Sequence, residues 1–155
     1  FPVSLSRTTE GPVSTAALGE RLGRQLRRGD VLLLRGELGA GKTCLTQGIA
    51  RGLGCTGNVT SPTFVMVNEY QGRVRLFHAD LYRIAVADEL EELGLWDQAA
   101  LGVLVVEWPE RGGDALPEAT VTVELSYGEG PDQRELAFFP NGERGRQITN
   151  SIGGS

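Results

Sequence analysis

The sequence predicts a single α/β domain, with a central sheet of mixed parallel and antiparallel strands flanked by helices. Three stretches of its 155 residues carry that prediction. The first is Val31-Leu32-Leu33-Leu34, a continuous apolar run suited to a parallel strand buried on both faces, followed at once by a glycine-rich loop and an amphipathic helix. The second is a pair of strand-like segments, 64–70 and 73–78, whose short Gln71-Gly72 link leaves no room for a crossover helix and dictates antiparallel pairing. The third is Val103-Leu104-Val105-Val106, another run without a polar residue, which ends on Glu107.

Taken in order, residues 1–6 suit a short edge strand. A helix over 14–28 follows, with Leu18, Leu22 and Leu26 on one face. Gly19 and Gly23 flank that stripe and would let the helix backbone approach a sheet closely, while Arg21, Arg24, Arg27 and Arg28 face solvent. Gly29-Asp30 turns the chain into the first buried strand. Beyond the loop, Leu45, Ile49 and Leu53 recur every four residues and give a helix one apolar face, until Gly52, Gly54 and Gly57 break the pattern. After the hairpin, Asp88 with Glu91 forms a capping box for a helix carrying Leu90 and Leu93, which Gly94 ends. Residues 95–101, with Trp96, pack as a further short helix. The segment 121–125 alternates as a half-buried strand, and 134–139 offers its partner across the Gly128-Glu129-Gly130-Pro131 turn. From 141 the chain is polar and glycine-rich, so the domain is expected to span 1–140 and residues 141–155 to form a frayed tail.

The loop between the first buried strand and its helix is Gly36-Glu37-Leu38-Gly39-Ala40-Gly41-Lys42-Thr43, a complete G-x-x-x-x-G-K-[ST] sequence in strand-loop-helix context. Its glycines let the backbone curl around an anion, turning successive N–H groups inward at a helix N-terminus. Lys42 reaches the β- and γ-phosphates of a nucleoside triphosphate, and the Thr43 hydroxyl is a ligand for Mg²⁺. The expected fold is therefore P-loop NTPase-like. Lys42 is also the sole lysine; every other basic side chain among the fifteen Lys and Arg is arginine. Lysine is thus kept where a compact ammonium is wanted rather than a planar fork. A dinucleotide loop is disfavoured, because G-x-G-x-x-G read from Gly39 would need glycine at Cys44.

The formal charge of −5 argues against a chain that grips nucleic acid by itself, since such binding rests mainly on phosphate neutralisation. No apolar stretch approaches the roughly 20 residues of a membrane span, and a cytoplasmic protein is expected. Cys44 and Cys55 have no metal-ligand spacing and read as reduced thiols. Cys44, at a helix N-terminus beside the phosphates, is either a reactive thiol or a small buried apolar residue.

Two acids complete the site. Asp80 lies where the second hairpin strand ends, placed to hold Mg²⁺ or its water or to orient an attacking water. His78, the single histidine, reads as its structural neighbour rather than as a base. Glu107 follows four apolar residues in the Walker B arrangement, at the sheet edge where the loop also emerges. Between loop and hairpin, Ser61-Pro62-Thr63 is either a nucleotide switch, with Thr63 sensing the γ-phosphate or the metal, or an ordinary Ser-Pro turn.

In order and spacing, Leu38 to Thr43, Ser61-Pro62-Thr63-Phe64, His78-Ala79-Asp80-Leu81-Tyr82-Arg83, Glu89-Leu90-Glu91 with Gly94-Leu95, and Glu107-Trp108-Pro109-Glu110 resemble the TsaE family. These proteins, also known as YjeE, are small bacterial ATPases of tRNA threonylcarbamoyladenosine modification, and the likeness covers about 15–117. The resemblance implies ATP and Mg²⁺ as cofactors, with Leu38, Gly39, Ala40, Gly41, Lys42, Thr43 and Cys44 around the phosphates. It makes Asp80 and Glu107 the paired acids, favours the switch at Thr63, and sets Thr15 near the base. Cys44 stands where the family commonly has a second threonine. The implied role is slow ATP hydrolysis that resets an assembly of TsaB and TsaD homologues, with tRNA reached only through that assembly. On the residues alone, the rivals are a small-molecule kinase using the same loop and a nucleotide-gated interaction module without turnover. A GTPase is disfavoured, since neither N-K-x-D nor D-x-x-G occurs.

Overall fold

The two all-apolar runs pair with each other at the centre of the sheet. In the computed structural model, which describes residues 5–37, 39–56, 67–82 and 94–153, β2 (Val31–Arg35) and β5 (Val103–Glu107) run parallel, Val31 opposite Leu104 and Leu34 opposite Glu107. Every residue of β5 is buried, as a strand covered on both faces requires. β4 (Leu76–Asp80) extends the parallel core beside β5, and β6 (Val121–Tyr127) extends it beside β2. The edges are antiparallel. β3 (Val67–Tyr70) turns back onto β4, while β7 (Arg134–Pro140) pairs with β6 and β1 (Leu5–Thr9) with β7. The order β1-β7-β6-β2-β5-β4-β3 gives the mixed α/β sheet that the short hairpin link predicted.

Period-2 alternation divides the strand residues between two cores. Leu32, Leu34, Leu76, Val103, Val105, Val123 and Phe138 pack under α1 (Pro12–Gln25) and α2 (Lys42–Gly52). Val31, Phe77, Ala79, Leu104 and Val106 pack on the other face with Leu95 and Ala99 of α3 (Leu95–Leu101). The expected short helix at 95–101 is therefore present, and Gly94 in the left-handed region starts it. The predicted helix over Asp88 and Glu91 lies outside the described residues, as does 61–66.

Four expectations change. β1 runs on to Thr9, past the predicted end at 6, because its register with β7 continues from Leu5 opposite Phe138 to Thr9 opposite Arg134, while residues 1–4 lie outside the described residues. Gly19 and Gly23 face α2 instead of the sheet. A Cβ on Gly19 would stand 2.4 Å from the Leu45 carbonyl oxygen and one on Gly23 2.3 Å from that of Ile49, while Gly48 and Gly52 answer from α2 against Ala16 and Glu20. The expected frayed tail is a helix, α4 (Gly142–Gly153), with Gly145, Ile148, Thr149 and Ile152 buried. Its polar composition hid an apolar stripe at helical spacing. Arg144 adds an anchor, donating through Nε at 3.0 Å and Nη2 at 2.7 Å to the buried Asp30 at the foot of β2. α1 starts at Pro12, two residues before the predicted start, since proline suits the first helical position. It ends where the Arg73 guanidinium donates to the carbonyls of Gly23 and Leu26, each at 3.1 Å.

Candidate active site

Strand β2 runs out at Arg35 and α2 begins at Lys42, so residues 36–41 form a loop at the C-terminal end of a central parallel strand. Two glycines shape it. Gly36 holds φ at +151°, and a Cβ there would stand 2.6 Å from the Leu125 carbonyl oxygen on β6. Gly41, at φ +106°, ends the loop in the left-handed region and precedes α2 without a side-chain cap. Between them Ala40 is buried and its N–H donates to the Glu37 carbonyl at 3.0 Å. The helical ladder opens with the Leu45 N–H on the Gly41 carbonyl at 2.9 Å. By helix geometry, the first N–H groups of α2 point out of its N-terminus and sit at the positive end of its dipole. Such a terminus is a seat for an anion.

Lys42 is folded back onto this loop. It is only 5 % exposed, and its Nζ donates to the carbonyl oxygens of Gly36 and, at 3.5 Å, of Glu37. The ammonium also lies 3.8 Å from the centre of the Trp108 ring. Burial pushes the Lys42 pKa below the ordinary lysine value, while Glu107, Glu110 and Asp80 pull it upward. Three carboxylates therefore act on one ammonium.

Those acids reach Lys42 because β4 and β5 are parallel and in register. Asp80 ends β4, Glu107 ends β5, and the two are direct partners across the pair. Glu107 is buried, and its Oε2 is hydrogen-bonded to Nε2 of His78. Asp80 is half-buried; its Oδ1 accepts the Tyr82 N–H at 3.0 Å. Trp108, next after Glu107, sits at φ +58°, the one positive value on a non-glycine among the described residues. That backbone costs about 1–2 kcal/mol. It turns the indole over Lys42, where the Tyr82 ring meets it with centroids 4.8 Å apart.

Two clefts flank the loop. One of about 200 Å³ is lined by Pro12, Thr15, Gly39, Gly41, Cys44 and Arg134. Thr15 is buried there, its hydroxyl 2.7 Å from that of Thr9. Burial pushes the Cys44 thiol pKa up, and the thiol donates to the Pro12 carbonyl at 3.0 Å, so of its two readings the packed apolar residue is the one the surroundings favour. Arg134 lies over the Tyr127 ring at 4.5 Å. The other cleft, of about 440 Å³, is bordered by Glu37, Trp108, Glu110, Glu124 and Tyr127.

Of the residues expected in the site, Lys42, Asp80 and Glu107 come together at one sheet edge, Thr43 lies half-buried in the first turn of α2, and Thr15 and Cys44 line the smaller cleft. Leu38 and Thr63 lie outside the described residues. Trp108, Arg134 and the His78 contact with Glu107 were not assigned a part in the site from the sequence; the signals for Trp108 were its place directly after the acid and in the Glu107-Trp108-Pro109-Glu110 motif. Among the described residues no three His, Cys, Asp or Glu side chains cluster as a metal site. Mg²⁺ does not need such a cluster, because it binds through one or two protein oxygens and substrate phosphates. The hard oxygens of Thr43, Asp80 and Glu107 suit it.

The profile of the family described as "Threonylcarbamoyl adenosine biosynthesis protein TsaE" matches residues 9–136, further toward the C-terminus than the motifs alone extended. The TsaE protein of Treponema pallidum is 45% identical over 112 residues, covering 72% of this chain and 83% of the relative. That of Bacillus subtilis is 41% identical over 146 residues, covering 93% and 90%. The crystal structure of Bacillus subtilis YdiB superposes with a TM-score of 0.82 at 33% identity, over 98% of this chain and 96% of that one.

Proposed function

This chain belongs to the TsaE family and has that family's role in tRNA threonylcarbamoyladenosine biosynthesis, and from this premise we propose that it binds and hydrolyses ATP to reset an assembly of TsaB and TsaD homologues. The observation that supports hydrolysis is the convergence of Lys42, Asp80 and Glu107 on one edge of the sheet beside the phosphate loop.

Water attacks the γ-phosphorus in line with the bridging oxygen of ADP, which leaves. The N–H groups at the α2 terminus hold phosphate oxygens, and the loop glycines keep side-chain bulk out of the cradle that Leu38 and Ala40 complete. Lys42 exchanges the Gly36 and Glu37 carbonyls for phosphate oxygens and stabilises the charge that develops on them. Thr43 and Glu107 would hold Mg²⁺, which would supply positive charge to offset that of the phosphates. Asp80, the more exposed acid, orients the water or completes the metal shell. Thr63 acts as the switch that senses the triphosphate, and Thr15 and Cys44 border the nucleotide from the smaller cleft. Reaction is slow in isolation and is quickened by the partners. The setting is cytoplasmic, and tRNA is met through the complex; among the described residues no helix is long and apolar enough to cross a membrane.

The test is ATP turnover by the chain alone and with purified TsaB, TsaD and tRNA. Phosphate release that rises with the partners and is abolished by Lys42→Ala supports the proposal. Turnover retained by Lys42→Ala removes it, and transfer to a metabolite faster than to water replaces it with a kinase.

A further inference from the structure

His78 and Asp80 lie two residues apart on β4 and so share one face of the sheet, the face that also carries Glu107 and the phosphate-loop helix. His78 has no exposed surface. Its aliphatic neighbours on that face, Leu76 on its own strand and Val105 across the pair, show what the position would ordinarily hold. An imidazole there gives up its hydration on both nitrogens. One of them, Nδ1, is shut off from solvent with no hydrogen-bond partner among the described residues. The other, Nε2, meets Oε2 of Glu107. A carboxylate accepts, so Nε2 is the donor of this pair, and Nδ1 is the nitrogen left without a partner.

What the protein gains for this loss is a fixed carboxylate. Glutamate has three side-chain torsions, and Lys42 does not pin it. The lysine is committed to two loop carbonyls and the Trp108 face, and no ion pair within 4.0 Å joins it to an acid among the described residues. We propose that His78 is a positioning residue for Glu107: its Nε2–H holds one carboxylate oxygen so that the other is presented toward the phosphate loop, and this sets how tightly the site holds a divalent cation beside a bound nucleotide. The inference rests on the nucleotide-site reading above. It gives the histidine a purpose that core packing alone does not, since Leu or Val would fill the space without stranding a nitrogen.

The test uses the full chain with a non-hydrolysable ATP analogue and Mn²⁺ as the probe cation, followed by electron paramagnetic resonance. His78→Leu removes the donor at similar volume, and His78→Gln returns an N–H near the position of Nε2. The expected result is Mn²⁺ binding weakened about ten-fold in His78→Leu and restored to within about three-fold of wild type in His78→Gln, with metal-free analogue binding within about two-fold throughout. Wild-type Mn²⁺ affinity in His78→Leu, or equal weakening in both variants, overturns the positioning role and leaves the nucleotide site standing. A wild-type chain that binds no analogue overturns the nucleotide reading, and this role with it. Should His78→Leu fail to fold, the nitrogen resonances of the single imidazole in the wild type decide. A protonated, hydrogen-bonded Nε2 that changes in Glu107→Gln supports the pairing, and an Nε2 signal indifferent to that substitution overturns it.

Discussion

Lys42 meets two demands that a guanidinium could not. Its ammonium fits between the Gly36 and Glu37 carbonyls and beneath an indole face, a compact site for a rotatable donor rather than a planar fork. That explains why the chain, otherwise arginine throughout, keeps its one lysine here. Burial lowers its pKa against the upward pull of Glu107, Glu110 and Asp80, so Nζ loses its proton below 10.5, the usual lysine value. The charged form is the one that holds phosphate. Affinity for ATP is therefore expected to be flat at neutral pH and to fall as pH rises through this lowered value, with a midpoint below 10.5; fluorescence titration from pH 7 upward checks it. The nucleotide-free fold should gain stability over the same interval, because there the unfolded chain binds more protons than the folded one. Lys42 was legible from the sequence because a spaced motif encodes it. Trp108 was not, since its position over the ammonium depends on where β5 ends relative to β2.

α1 and α2 are joined through glycine. Gly19 and Gly23 meet Gly48 and Gly52, so the backbones of the two helices touch and the first helix of the chain braces the helix that opens the phosphate site. A Cβ on Gly48 would stand 2.0 Å from the Ala16 carbonyl oxygen, and backbone cannot swing aside as a flexible side chain does. Gly48→Ala gains helix propensity, about 1 kcal/mol, but forces the helices apart at a cost of about 3 kcal/mol, the upper end for overpacking, since the clash is with backbone. The expected net loss is about 2 kcal/mol, a fall in Tm of about 4–8 °C by circular dichroism. An unchanged Tm would show that the helices are not in backbone contact. The glycines were visible in the sequence, but which surface they approach was not. α4 is the opposite case: two isoleucines in a polar segment are a weak local signal, and the helix is held by what it lands on, including Arg144 on the distant Asp30.

Across the whole molecule, β2, β4, β5 and β6 are mutually parallel, so their C-terminal ends gather at one edge of the sheet. The loop leaves β2 there, and the two acids stand at the ends of β4 and β5. Neither acid lies in the loop that seats the phosphates, so removing either should spare binding and impair turnover. In Asp80→Ala and Glu107→Ala, ATP affinity by calorimetry is expected within several-fold of wild type, with hydrolysis reduced about a hundred-fold or more. Wild-type turnover in a variant that still binds ATP would show that the acid has no part in the reaction.

The sequence by itself determined the phosphate loop, the two buried strands around it, the hairpin that makes the sheet mixed, and the family. Each is written locally, in glycine spacing, in unbroken apolar runs, in a link too short for a crossover, or in motif order. Only the tertiary structure decided that Asp80 stands opposite Glu107, that His78 grips that glutamate, that Trp108 covers Lys42, and that α1 packs on α2 through glycine. Strand register and helix packing are set by contacts between segments far apart in the chain, and no local pattern of residue types specifies which of the available faces will meet.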